Sequence, residues 1–111
     1  MDNDQINWSG DIRYLESNSE KIPESGGVYK ILRNDGKQNK LTRIYVGKAE
    51  DLKSRYLDHL SSNEENSCIK NNLNNNDCYF RYTLLSREED RQYLEEKLLG
   101  EGKCICNVQG Q

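Results

Sequence analysis

Gly27-Val28-Tyr29-Lys30-Ile31-Leu32-Arg33, the turn signal Asn34-Asp35-Gly36, and then Thr42-Arg43-Ile44-Tyr45-Val46-Gly47 form the stretch that decides how this chain folds. Both flanking segments are rich in β-branched and aromatic residues, and Asn-Asp-Gly favours chain reversal, so the stretch predicts an antiparallel hairpin. A polar excursion to Lys40 makes its connection longer than a tight turn. Pro23 and Gly26 punctuate the approach.

Working outward, Leu52, Tyr56, Leu57 and Leu60 recur at helical spacing, with Glu50 and Asp51 in a first turn where the helix dipole favours acids. The asparagine-rich stretch 66–76 predicts a short helix through Ile69 and Leu73 that dissolves into loop. Cys78 to Leu85 alternates Tyr79, Arg81 and Thr83 with Phe80, Tyr82 and Leu84, which predicts a third strand. Ser86 and Glu89 make a capping-box pattern for a last helix running to Leu99 and stopping at Gly100. The expected fold is α+β: a three-stranded antiparallel sheet flanked by helices in the order β-β-α-α-β-α. One domain is expected over residues 22–111, preceded by a polar, acidic extension over 1–21 in which Ile12-Arg13-Tyr14-Leu15 contributes to a short helix.

Composition narrows the function. The chain has 111 residues, 33% of them hydrophobic, and a mean hydropathy of −1.05. No apolar run approaches the roughly 20 residues that span a bilayer, and no secretory leader is visible, so a cytoplasmic protein is expected. The net charge of −3 is unevenly spread: residues 27–60 carry eight basic and four acidic side chains, while the flanking segments are net acidic. A local basic patch on an acidic body suits weak, salt-sensitive contact with phosphates. Nine residues separate Cys68 from Cys78 and one separates Cys104 from Cys106. These are poor spacings for structural zinc, so reduced thiols in a core are expected.

Taken together, Gly27-Val28-Tyr29, Tyr45-Val46-Gly47, Arg55 ten residues after Tyr45, His59 one helical turn later, Glu95 and Asn107 resemble the GIY-YIG nuclease family from about Ile22 to Asn107, nearly the whole chain. The tripeptides here read GVY and YVG, keeping both tyrosines and both glycines. The resemblance implies an α+β nuclease fold and a DNA endonuclease that hydrolyses phosphodiester bonds with one divalent ion, Mg2+ or Mn2+. It also implies that Tyr29 and Tyr45 belong to the site, one of them as general base on water.

The residues are consistent with those parts. Arg55 and His59 are predicted on one shoulder of the first helix, where a guanidinium fork suits phosphate and an imidazole can move a proton. A free phenol has a pKa of about 10, so a tyrosine base needs nearby positive charge, for which Lys48 and Arg55 are candidates. Of the adjacent Glu95 and Glu96, the helical wheel puts Glu95 beside Leu94, Leu98 and Leu99 and turns Glu96 outward, which selects Glu95 as metal ligand. An ion pair between Glu95 and Arg91 is the competing reading. A single carboxylate leaves an ion mostly hydrated, which suits magnesium. Gly47, Lys48, Lys53 and Asn107 are candidate substrate contacts, with Asn107 alternatively ordering the site by hydrogen bonds.

Two other readings stand beside the nuclease: a catalytically weak or inactive DNA-binding or protein-interaction module on this fold, and a small metal or redox protein built on the cysteines. No room for a separate DNA-selecting domain is evident, so targeting by a homodimer or a partner is expected.

Overall fold

In the computed structural model, which describes residues 6–36, 40–102 and 104–107, the hairpin forms and lies inside a sheet of four strands. These are β1 (Ile12–Arg13), β2 (Gly27–Asn34), β3 (Leu41–Ala49) and β4 (Cys78–Leu84). Their order is β1-β4-β2-β3, so β3 is an edge strand, and every neighbouring pair is antiparallel. The α+β architecture is as expected, with one strand more than the sequence indicated. Ile12 and Arg13 pair with Phe80 and Tyr79 instead of forming part of a helix. A 3-10 turn over Glu16–Lys21 follows them. Tyr14 enforces the extended path: its ring stacks on Tyr56 at 4.3 Å and its backbone N–H donates to the Cys78 carbonyl.

Among the described residues, three α-helices cover the sheet: α1 (Leu52–Leu60), α2 (Ser67–Asn75) and α3 (Glu88–Gly100). Asp51 is the N-cap of α1, its carboxylate accepting from the Ser54 N–H at 3.1 Å, and Asn66 caps α2 by accepting from the Ile69 N–H. The buried stripe of α1 is Leu52, Tyr56 and His59. Leu57, expected on that stripe, is exposed, and the histidine takes the inward position. For α3 the capping box is not used: the helix starts at Glu88 with Arg87 at the N-cap and no side-chain cap bond. Arg91 anchors this end instead, donating to the Leu85 carbonyl at 2.8 Å.

Side-chain alternation builds one core on each face. Tyr29, Ile31, Ile44 and Phe80 pack with Leu52, Tyr56 and Ile69 beneath α1 and α2. Val28 and Val46 pack with Leu94 and Leu98 of α3 on the other face. The pairing register slips between Ile31, opposite Tyr45, and Leu32, opposite Arg43, leaving Ile44 as the extra residue of a bulge. That bulge lets both Ile44 and Tyr45 serve the face beneath α1. Without it, strict alternation would send one of them to the α3 side.

The cysteines differ from expectation. Cys68 and Cys106 form a disulfide with Cα atoms 5.2 Å apart, joining α2 to the segment after α3, while Cys78 and Cys104 are free and buried. The pairing links residues far apart in sequence, so it depends on tertiary proximity that spacing does not carry. Among the described residues, no helix is long and apolar enough to cross a membrane.

Candidate active site

Tyr29 pairs with Gly47, and Ile31 with Tyr45, across the β2–β3 ladder. The two tyrosines therefore stand diagonally on one face, their ring centroids 6.0 Å apart. Both tripeptide glycines answer to sterics. A Cβ on Gly47 would sit 2.6 Å from both Cζ and Oη of Tyr29, and one on Gly27 would sit 2.1 Å from the Thr83 carbonyl oxygen. Only glycine lets the Tyr29 ring lie flat on β3 and β4 approach β2 at these points. The tyrosine is locked from the far side as well, stacked on Phe80 at 5.1 Å.

Tyr29 is completely buried. Its hydroxyl meets Nε2 of His59 at 2.8 Å, and Nδ1 of His59 meets Oε1 of Glu64 at 2.6 Å. His59 is thus far from a surface residue: it is 2% exposed. Burial pulls its proton affinity below the ordinary 6.5, with the Glu64 contact opposing that pull. Burial also drives the Tyr29 hydroxyl far above the ordinary phenol range, and the neighbouring Tyr45 adds to it while Arg55 works against it. Both shifts favour the neutral forms.

Tyr45 and Arg55 are only partly buried. They line an open cleft of about 640 Å³ between α1 and α2, together with His59, Glu64 and Asn66. Burial raises the Tyr45 pKa, Arg55 lowers it, Glu95 raises it, and the Tyr29 hydroxyl lowers it again. Arg55 is therefore the cation that serves both phenols. Among the described residues its ion-pair partner is Asp58, at 3.5 Å and largely exposed, and its guanidinium also bonds to the Tyr29 hydroxyl.

Glu95 reaches the same neighbourhood from α3, on the other side of the β3 edge. It is half-buried, whereas Glu96 is exposed and accepts from Gln92 at 3.0 Å. Arg91 spends its guanidinium on Leu85 and Glu88, so the competing ion pair with Glu95 does not form. Among the described residues Glu95 has no hydrogen bond or salt bridge. Burial raises its pKa and Lys48 lowers it, while Glu96 and Glu88 add to the rise. A half-buried carboxylate without a bound counter-charge fits a divalent ion. No cluster of three or more His, Cys, Asp or Glu suited to a metal occurs among the described residues, so water and substrate phosphate would have to complete the coordination of a hard cation.

The remaining candidates take supporting positions. Lys48 points to the α3 face, with Nζ 2.8 Å from Glu88, and lies on the side of β3 away from the Tyr45 ring. Lys53 faces Glu24 at 3.9 Å. The Asn107 amide accepts from the Val46 N–H at 2.9 Å and donates to its carbonyl at 3.0 Å, gripping β3 between Tyr45 and Gly47. Glu64 escaped the sequence reading. It lies in the irregular stretch between two helices, where periodicity is silent.

A family model for UvrC-like GIY-YIG domains matches residues 25–108. UvrABC system protein C of Bacteroides thetaiotaomicron is 35% identical over 95 residues, covering 86% of this chain and 15% of that protein. The protein of the same name from Rickettsia rickettsii is 32% identical over 77 residues, 69% of this chain and 11% of the relative. The chain thus spans only a small part of these relatives' length. Among solved structures, the GIY-YIG N-terminal endonuclease domain of UvrC from Thermotoga maritima, a tyrosine-to-phenylalanine mutant bound to its catalytic divalent cation, superposes with a TM-score of 0.61. It is 25% identical and covers 86% of this chain and 100% of that one. With hairpin, helices and matching residues in place, the chain belongs to the GIY-YIG nuclease family, as a UvrC-like GIY-YIG domain.

Proposed function

We propose that this domain is a metal-dependent DNA endonuclease whose catalytic residues all lie within residues 22–111, acting in the cytoplasm. The observation that carries the reading is the convergence on Tyr45. This tyrosine lines the cleft, feels the Arg55 cation from α1, and neighbours the uncompensated carboxylate of Glu95 on α3.

Tyr45 is the tyrosine that meets solvent, so it orients the attacking water and accepts its proton. Tyr29, buried and hydrogen-bonded to His59, stands behind it. Arg55 offers its fork to the phosphate and takes up charge that develops on the oxygens. Glu95 would hold Mg2+ or Mn2+, which supplies positive charge to a non-bridging oxygen and to the departing 3′-oxygen. Asn107 and Gly47 keep Tyr45 and Tyr29 in register. Lys48 and Lys53 border the site as phosphate contacts that substrate would recruit from their glutamate partners. Selection of the DNA would fall to a homodimer or a targeting partner.

Cleavage of supercoiled plasmid and of labelled single-stranded DNA at low salt, with magnesium, manganese or a chelator, tests the proposal. Metal-dependent cutting that falls at least 100-fold in Tyr45→Phe is expected, from the usual scale of general acid–base catalysis. DNA binding without cutting by the folded native protein would move the assignment to a binding module on this fold.

A further inference from the structure

We infer that Glu64 is a positioning residue of this nuclease site: its carboxylate holds His59 in the Nδ1–H tautomer, leaving Nε2 to accept the Tyr29 hydroxyl proton. The inference rests on the nuclease reading above.

Glu64 is drawn from its connecting segment into the domain, with 9% of its side chain exposed against 1% for His59. The contact is 2.6 Å, slightly shorter than the roughly 2.7–2.9 Å of charge-assisted N–H···O bonds. A carboxylate at neutral pH can only accept, so Nδ1 must donate. A neutral imidazole has one N–H, so Nε2 can only accept, and the Tyr29 hydroxyl 2.8 Å away must be the donor. Burial favours the neutral ring. The groups facing it are Tyr29 and Tyr45 from the sheet, Arg55 and Asp58 from its own helix, and Glu64.

The direction of these bonds matters for the chemistry. With its proton committed to Nε2, the Tyr29 oxygen keeps its lone pairs to accept, and Arg55 and Tyr45 both lie within hydrogen-bonding reach of it. A proton that Tyr45 takes from the reacting water is matched by the Tyr45 proton passing to Tyr29 and the Tyr29 proton passing to Nε2. Both tyrosines end as they began, the water has become hydroxide, and the proton rests on an imidazolium beside the Glu64 carboxylate. Glutamine at position 64 could donate to Nδ1 instead, which would place the ring proton on Nε2 and reverse the bond to Tyr29.

This protein has a single histidine, so 15N-labelled imidazole gives one pair of ring nitrogen signals. The native protein is expected to show the Nδ1–H tautomer at neutral pH, and Glu64→Gln the Nε2–H form. Metal-dependent cleavage should show kcat lowered roughly 10- to 100-fold by Glu64→Gln, with KM little changed, the scale of losing the partner that orients a functional imidazole. Glu64→Asp should keep the tautomer and most of the rate. In a His59→Phe background Glu64→Gln should cost nothing further. An Nε2–H signal in the native protein, an unchanged kcat in Glu64→Gln while the native enzyme cuts, or an equal loss in the His59→Phe background would each overturn the inference and leave the nuclease reading standing. Failure of the native protein to cut under any metal condition would instead sink that reading, and this inference with it.

Discussion

Replacing Gly47 with alanine tests the steric logic that joins the two tripeptides. The new Cβ would lie 2.6 Å from Tyr29 Cζ and Oη and 2.9 Å from Cε1, about an ångström inside normal contact. The ring has nowhere to go, because Tyr29 is fully buried, stacked on Phe80 and tied to His59. Overpacking of this kind costs about 1–3 kcal/mol, and displacing the hydroxyl from His59 adds about 1 kcal/mol. Against this, alanine is better than glycine in a strand by roughly 0.5–1 kcal/mol. A net loss of about 1–3 kcal/mol is expected. At roughly 4 °C per kcal/mol for a domain of this size, Tm should fall by about 4–12 °C. Gly100→Ala is the control, since nothing lies within 4 Å of its new methyl, and it should be neutral or slightly stabilising. Because the clash involves ring carbons as well as the hydroxyl, adding Tyr29→Phe should not rescue Gly47→Ala. Urea denaturation of the native protein and these three variants decides the matter. Equal stability of Gly47→Ala and Gly100→Ala, or full rescue by Tyr29→Phe, would refute the packing argument.

Further consequences can be measured on the same protein. Asn107→Ala removes both bonds to the Val46 backbone, so amide exchange at Val46 should speed up and stability should fall by about 1–2 kcal/mol; unchanged exchange would show that the clamp is not needed to hold β3. The Cys68–Cys106 bridge has a sequence separation of 38. On loop-closure entropy alone its reduction should cost up to about 4 kcal/mol, and a thermal melt unaffected by reductant would contradict the bridge. His59 has its pKa lowered in the fold from the ordinary 6.5. The unfolded chain therefore binds more protons below that value. This contribution to stability is present in full above pH 6.5 and is lost as pH falls toward the folded value. The pH dependence of stability between 7 and 5 should flatten in His59→Phe, and an unchanged slope would assign acid lability to other groups.

How much of this was legible in the sequence follows from the kind of signal each feature leaves. β2, β3, β4 and the helices are long enough for periodicity to register, and Glu95 separated from Glu96 because a helical wheel is a local property. β1 has two residues, too few for alternation, and owes its conformation to Tyr14 packing on Tyr56. The wheel placed Leu57 inward and left His59 at a shoulder, but the tertiary partners Tyr29 and Glu64 make the histidine the buried group. Ser86 and Glu89 carry a capping pattern that α3 does not use, because Arg91 anchors that end. Glu64 and the disulfide depend on contacts between segments distant in sequence or irregular in backbone, where neither propensity nor period has a voice.

The proposed metal dependence should reside in Glu95 and not in Glu96. It is tested most directly by comparing Glu95→Gln with Glu96→Gln in one assay of plasmid cleavage across a magnesium titration, beside calorimetric metal binding. Glu95→Gln should lose cleavage by at least 100-fold and lose metal binding while melting like the native protein, and Glu96→Gln should match the native protein in both. Equal effects of the two substitutions, or full cleavage by Glu95→Gln, would contradict it.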